Sequence, residues 1–167
     1  QLGDRNVQIV GVDNSAPMLA QCKKKLNGLN TVRNVAFVEA DLQDFVPEPA
    51  SVVILNYTLQ FLPLSERPRL LKSVFDCLQP TGALLVSEKV SHRSVSLHQV
   101  LYEMHHDFKR SHGYSELEIS QKRDALENVL VPITCEENLE LLKSAGFEET
   151  EVYAKWYNFA SFVAFKK

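Results

Sequence analysis

Two aspartates close short apolar runs, Asp13 in VGVDNS and Asp41 in VEADLQDF, and a third such run ends on Asn56 in LNYTLQFL. In sheets flanked by helices, ligands bind beyond the carboxyl ends of the strands, so polar residues at those ends are candidates for ligand contact. An acidic residue closing the second strand of a dinucleotide-type fold can accept both hydroxyls of a ribose, which is the chemistry open to Asp13. Its alternative is local, because an aspartate ahead of a helix N-terminus is favoured by the helix dipole. Asp41 stands where a carboxylate can accept the amino group of an adenine while the backbone N–H of Leu42 meets a ring nitrogen. The alternative for Asp41 is an ordinary loop aspartate.

Other reactive side chains have plainer readings. His98, His105, His106 and His112 lie near Asp107, but no HExxH and no paired carboxylate completes a metal site, so no metal is expected. Most of these histidines are read as helix-surface or subunit-contact residues. Trp156, Tyr157 and Phe159 could stack on a ligand, although packing of a terminal hairpin is the preferred reading. Glu88 and Lys89 either border a pocket or form an exposed ion pair. Cys22, Cys77 and Cys135 are far apart and lack metal or CxxC spacing, so they read as reduced packing residues. No side chain stands out as a catalytic base.

The elements that must position these residues alternate. VQIVGV (7–12) reads as a strand, followed by a turn at Asp13-Asn14-Ser15 and a helix capped by Ser15 and stopping near Gly28. VAFVEA (35–40) and SVVIL (51–55) are further strands, and their continuous apolar runs predict coverage on both faces. A helix over about 65–78, a turn at Pro80-Thr81-Gly82 and a fourth strand, ALLVSEKV, come next. Two helices then occupy the segment 91–132, the first ending at Gly113 and the second opened by a capping box of Ser115 and Glu118. A last helix stops at Gly146, and two strands meeting near Asn158 close the chain. The pattern is that of an α/β doubly wound sheet carrying a helical subdomain.

The 167 residues, 45% hydrophobic and 23% charged, suit a single domain with one core. Eighteen basic against 21 acidic residues give a net charge of −3, which argues against a direct nucleic-acid surface. No apolar run approaches the roughly 18 residues that span a bilayer, and no signal pattern opens the chain. A cytoplasmic protein with no membrane partner is expected.

The sequence resembles the carboxy-S-adenosyl-L-methionine synthases of the tRNA uridine 5-oxyacetic acid pathway, which have the Rossmann-like class I S-adenosylmethionine (SAM) methyltransferase fold. The resemblance rests on DNS at 13–15, LNYTLQFL at 55–62, LVSEK at 85–89, and above all MHHDFKRSHGYSELEISQKR at 104–123 followed by LENVL. It implies that Asp13 and Asn14 bind the ribose and its neighbourhood, Asp41 and Leu42 the adenine, Asn56 the methionine end near the sulfonium, and Arg123 the added carboxylate. It further implies a homodimer and a reaction of SAM with prephenate that yields carboxy-SAM and phenylpyruvate. Proteins of this family look as though they begin with a helical lead and a first strand ending in a glycine-rich loop. This chain is expected to start after both, with that strand missing between those at 7–12 and 51–55.

Arg123 also has a local alternative. Ile119, Leu126, Val129 and Leu130 mark one face of the second insert helix, with Lys122 and Arg123 on or beside it. The pairs Glu118 to Lys122 and Arg123 to Glu127 have the i, i+4 spacing that holds charges on a wet surface. Two other classes of function remain open: a conventional small-molecule methyltransferase, and a non-catalytic nucleoside-binding remnant. An arginine near the transferable methyl separates the first reading from these, since a carboxylated sulfonium needs one and an ordinary methyl donor does not.

Overall fold

The computed structural model describes residues 7–27, 34–127 and 129–167. The chain forms two compact units, Gln1–Val46 and Pro47–Lys167.

In the first unit, β1 (Ile9–Asp13) leads through α1 (Ala16–Asn27) to β2 (Val35–Glu39). The two strands are parallel, with Ile9 opposite Val35 and Asp13 opposite Glu39. The Ser15 hydroxyl accepts the Met18 N–H at 3.4 Å, a weak form of the expected cap. Helix α1 lies against both strands and buries Leu19. The expected stop at Gly28 lies outside the described residues.

The second unit holds β3 (Ala50–Asn56), a single 3₁₀ turn at Leu59–Phe61, α2 (Arg67–Cys77) and β4 (Leu78–Lys89). After these come α3 (Val95–Ser111), α4 (Glu116–Glu127), α5 (Cys135–Ser144), β5 (Glu149–Trp156) and β6 (Phe159–Phe165). The sheet order is β3-β4-β6-β5, with β3 parallel to β4 and the remaining pairs antiparallel. The central strands supply the core: Leu84, Val86 and Val90 from β4 and its end, and Ala160, Phe162 and Ala164 from β6, are all buried. Helices α2 and α5 pack together and join through Phe75 and Phe147, whose rings meet edge to face at 5.0 Å. Gly146 sits between them at φ +115°, where a Cβ would lie 3.0 Å from the Phe75 ring, so the chain needs glycine there. Thr134 and Glu137 form a complete capping box that opens α5.

The insert folds as its punctuation indicated. Ser115 N–H and Oγ donate to Glu118, while the Glu118 N–H donates to Ser115 Oγ, and Gly113 takes φ +86° beyond the end of α3.

Two expectations are corrected. Pro80-Thr81-Gly82 is not a turn ahead of the fourth strand, because β4 begins at Leu78, directly after α2. Its pairing slips between Ala50↔Leu78 and Val52↔Ala83, with Thr81 at φ +63° in the irregular stretch. Lys166 holds this stretch to the sheet, its ammonium donating to the Phe75 and Leu78 carbonyls at 2.8 and 2.6 Å and its backbone bonding Thr81 and Gly82. The second correction concerns coverage of β1 and β3. No residue of β1 is buried, and on β3 only Leu55 is, while Val52 and Ile54 are 52% and 58% exposed. Among the described residues each of these strands pairs on one side only. No described helix is long and apolar enough to cross a membrane.

Candidate functional site

In the first unit, parallel pairing sets both candidate aspartates at the carboxyl edge of β1 and β2. Asp13 ends β1 opposite Glu39, its carbonyl accepts the Ala40 N–H at 3.2 Å, and Asp41 follows one residue later. Each carboxylate uses one oxygen locally: Asp13 Oδ1 accepts the Ser15 N–H at 2.8 Å, and Asp41 Oδ1 accepts the Gln43 N–H at 2.9 Å. These are Asx turns, the local role that competes with ligand binding in the sequence. The two roles are compatible, because the turn engages one oxygen of the pair and fixes the direction of the other. Asn14 is exposed and Leu42 half-buried. A shallow depression lined by Gln8, Asn34, Val35 and Ala36 lies at the opposite, amino end of these strands.

In the second unit, Asn56 is exposed at the end of β3, opposite Ser87 of β4. The next residue, Tyr57, is held at φ +53° by its N–H bond to the Ser87 carbonyl at 2.7 Å. Positive φ is costly for a bulky residue and persists only where neighbours enforce it. The residues that follow Tyr57 are anchored by Glu88, which is 2% exposed. Its Oε1 accepts the N–H groups of Thr58 and Leu59 at 2.9 and 2.7 Å, and its Oε2 accepts that of Gln60 at 3.1 Å. Gln60 in turn accepts the Lys89 N–H at 2.9 Å. Buried Arg67 closes the far side of the loop, donating to the carbonyls of Leu62 at 3.1 Å and Val131 at 2.6 Å. Burial pushes the Glu88 carboxyl above the usual range, and the three N–H bonds followed by the Arg67 charge pull it back.

Glu88 and Lys89 are therefore not an exposed ion pair. Successive residues of a strand point to opposite faces, and Glu88 falls in the inward row of Leu84, Val86 and Val90. That row was the signal for a buried carboxylate, and a buried carboxylate needs N–H partners.

Arg123 lies on α4 with its side chain 52% exposed, 3.0 Å from Asp124 and beside the Tyr102 hydroxyl. The expected pair of Glu118 with Lys122 is absent, because Glu118 turns back into the capping box. The expected partner of Arg123, Glu127, has its side chain outside the described residues. The aromatic residues of the terminal hairpin pack on α3: Trp156 meets Phe108 at 4.7 Å, and Phe159 meets His105 at 5.1 Å. Phe159 also meets Tyr57 at 5.8 Å, which links the turn after Asn56 to α3. His105 is pushed down to about 4 by burial and by the neighbouring charges of Lys109, His106, Lys89 and Lys122. Among the described residues no three His, Cys, Asp or Glu side chains are placed to hold a metal.

This strand order, with polar residues at the carboxyl edges, is the SAM-dependent methyltransferase class of fold. A methyltransferase domain family matches residues 1–82. Human N-acetylserotonin methyltransferase, solved in complex with SAM, superposes with a TM-score of 0.62 at 18% identity, covering 95% of this chain and 40% of that one. A possible exported protein from Bordetella parapertussis superposes with a TM-score of 0.70 at 16% identity, covering 99% of this chain and 56% of that one. In sequence the chain is similar to the carboxy-S-adenosyl-L-methionine synthases. It is 45% identical over 161 residues to the enzyme of that name from Escherichia coli (strain K12 / DH10B), covering 96% of this chain. It spans 65% of that relative's length.

Proposed function

We propose that the protein carrying this chain is a transferase that converts SAM and prephenate to carboxy-SAM and phenylpyruvate, supplying the carboxymethyl donor for tRNA wobble uridine modification. The observation that carries this reading is the 45% identity, over 96% of the chain, to a protein named carboxy-S-adenosyl-L-methionine synthase. In this reading SAM is the ligand of the carboxyl edge. Asp13 and Asn14 meet the ribose, Asp41 and Leu42 the adenine, Asn56 the methionine end, and Arg123 the new carboxylate. A homodimer in the cytoplasm, acting on a small molecule without touching nucleic acid or membrane itself, belongs to the same proposal.

The step balances with water as the third product. Prephenate gives up carbon dioxide and hydroxide as its ring aromatises, the sulfonium methyl gives up a proton, and a carbon–carbon bond forms between that methyl carbon and the carbon dioxide. The protein's part is to orient the two substrates, exclude bulk water and stabilise the new carboxylate. Within their own units, the Asx turns fix the two aspartates and the Glu88 anchor fixes the turn that follows Asn56.

The mass of the nucleoside that co-purifies with the protein tests this reading. A species heavier than SAM by one carboxyl group supports it, whereas SAM or S-adenosylhomocysteine alone favours a conventional methyltransferase.

A further inference from the structure

The insert of α3 and α4 leaves the sheet at Val90 and returns through Val131 and Ile133, and its two ends are fastened side by side. The Val90 N–H donates to the Asn158 carbonyl at 2.8 Å, the Ser91 N–H donates to the Ile133 carbonyl at 3.0 Å, and Val90 and Ile133 form an isolated parallel bridge. Val131 is held through both of its backbone groups. Its N–H donates to the Gln60 carbonyl at 2.9 Å, and its carbonyl accepts from the Arg67 guanidinium at 2.6 Å. The same guanidinium donates twice to the Leu62 carbonyl at 3.1 Å, so Arg67 spans the turn after β3 and the exit of the insert. Gln60 and Arg67 are both buried.

Helix α4 depends on this exit for its place. Among its described side chains only Ile119 is buried. At its start, Arg110 of α3 meets Glu116 at 2.5 Å, but both side chains are exposed and such pairs contribute little. At its end, the Val129 and Leu130 N–H groups donate back to the Leu126 carbonyl at 3.1 and 3.0 Å, which carries the fixing of Val131 into the last turn of α4. Arg123 stands about one helical turn before Leu126. A helix with so few buried contacts moves easily unless one of its ends is clamped.

We propose that Arg67 is a positioning residue for recognition of the carboxylated sulfonium: by clasping Val131 to the turn after β3, it fixes the helix of Arg123 relative to Asn56. The assignment rests on the reading of the protein as a carboxy-SAM synthase. The planar fork suits the place, because one guanidinium reaches carbonyls of two separate segments at once, and an ammonium has no fixed fork with which to hold both.

Amide hydrogen exchange and calorimetric titration with SAM and carboxy-SAM test the clasp in wild type, Arg67→Lys, Arg123→Lys and the double variant. Arg67→Lys keeps a positive charge near Glu88 and loses the fork. It should speed exchange across α4 about tenfold while the β4 and β6 amides stay as slow as in wild type, and it should lower the preference for carboxy-SAM over SAM about fivefold. In the double variant the preference should fall no further than in Arg123→Lys alone, because one residue acts through the other. Unchanged exchange in α4, an equal loss of both ligands, or losses of preference that multiply in the double variant each overturn the assignment and leave the enzymatic reading intact. Absence of any preference in wild type overturns the carboxylate role of Arg123 and the assignment with it; that failure shows in wild type, whereas a failure of the clasp alone shows only in the variants. Should Arg67→Lys not fold, Val131→Pro takes its place, removing the N–H donated to Gln60 from a residue whose side chain is exposed, with the same results expected and the same results overturning the assignment.

Discussion

Asp13 makes an Asx turn and is proposed to bind the ribose as well, and substitutions can separate the two roles. Asparagine keeps an oxygen for the Ser15 N–H and so preserves the Asx turn, whereas alanine removes both functions. Asp13→Ala should therefore cost about 1.5 to 3 kcal/mol of SAM affinity by calorimetry, the range for hydrogen bonds to charged groups. Asp13→Asn should keep the stability of wild type yet lose part of that affinity; full affinity in both variants would leave Asp13 as a helix-start residue alone. Arg123 poses the same question on α4, where it is paired with Asp124 and half exposed. A guanidinium meets a carboxylate through two parallel bonds that an ammonium cannot reproduce. Arg123→Lys is expected to weaken carboxy-SAM more than SAM, and equal losses for the two ligands would remove Arg123 from carboxylate recognition. At this scale the sequence was most informative where a residue type and its strand position coincide, as at Asp13 and Asp41. It was least informative at Lys122, whose apparent i−4 partner had a stronger local competitor in the Ser115 cap.

The turn after β3 owes its shape to a side chain 28 or more residues away, since Glu88 binds three of its N–H groups. Glu88→Gln would present an amide NH₂ where one of those donors now points. It should destabilise the protein by about 2 to 3 kcal/mol in thermal or denaturant unfolding, and Glu88→Ala by at least as much. A change below about 0.5 kcal/mol would mean that water replaces the carboxylate and that the turn is self-supporting. Element boundaries set by local chemistry were legible, including the Ser115–Glu118 box and the glycine stops at Gly113 and Gly146. The start of β4 was not, because Pro80-Thr81-Gly82 has turn composition and is drawn into the sheet by Lys166, which lies 84 or more positions further along. Glu88 shows that a period-2 pattern carries information even when the residue occupying it is charged. Its place in the row of Leu84 and Val86 outweighed the pairing with Lys89 that adjacency suggested.

Across the whole molecule, the order β3-β4-β6-β5 and the parallel pair β1-β2 place Asp13, Asp41 and Asn56 each at the carboxyl end of a strand. That much was legible from strand–helix alternation, because helices joining parallel strands leave the carboxyl ends as the place for loops and ligands. The exposure of Val52 and Ile54 was not legible, since a continuous apolar run reads the same whether or not both faces of the strand are covered. The fold is common to many chemistries and does not choose between transfer of a methyl group and its carboxylation. The choice rests on the 45% sequence identity to a carboxy-S-adenosyl-L-methionine synthase. Incubating the protein with SAM and prephenate and weighing the products by mass spectrometry is the most direct test. Carboxy-SAM and phenylpyruvate should appear together in equal amounts, and neither should form when prephenate is omitted. Formation of S-adenosylhomocysteine with a methylated product, or phenylpyruvate release without carboxy-SAM, would contradict the proposed reaction.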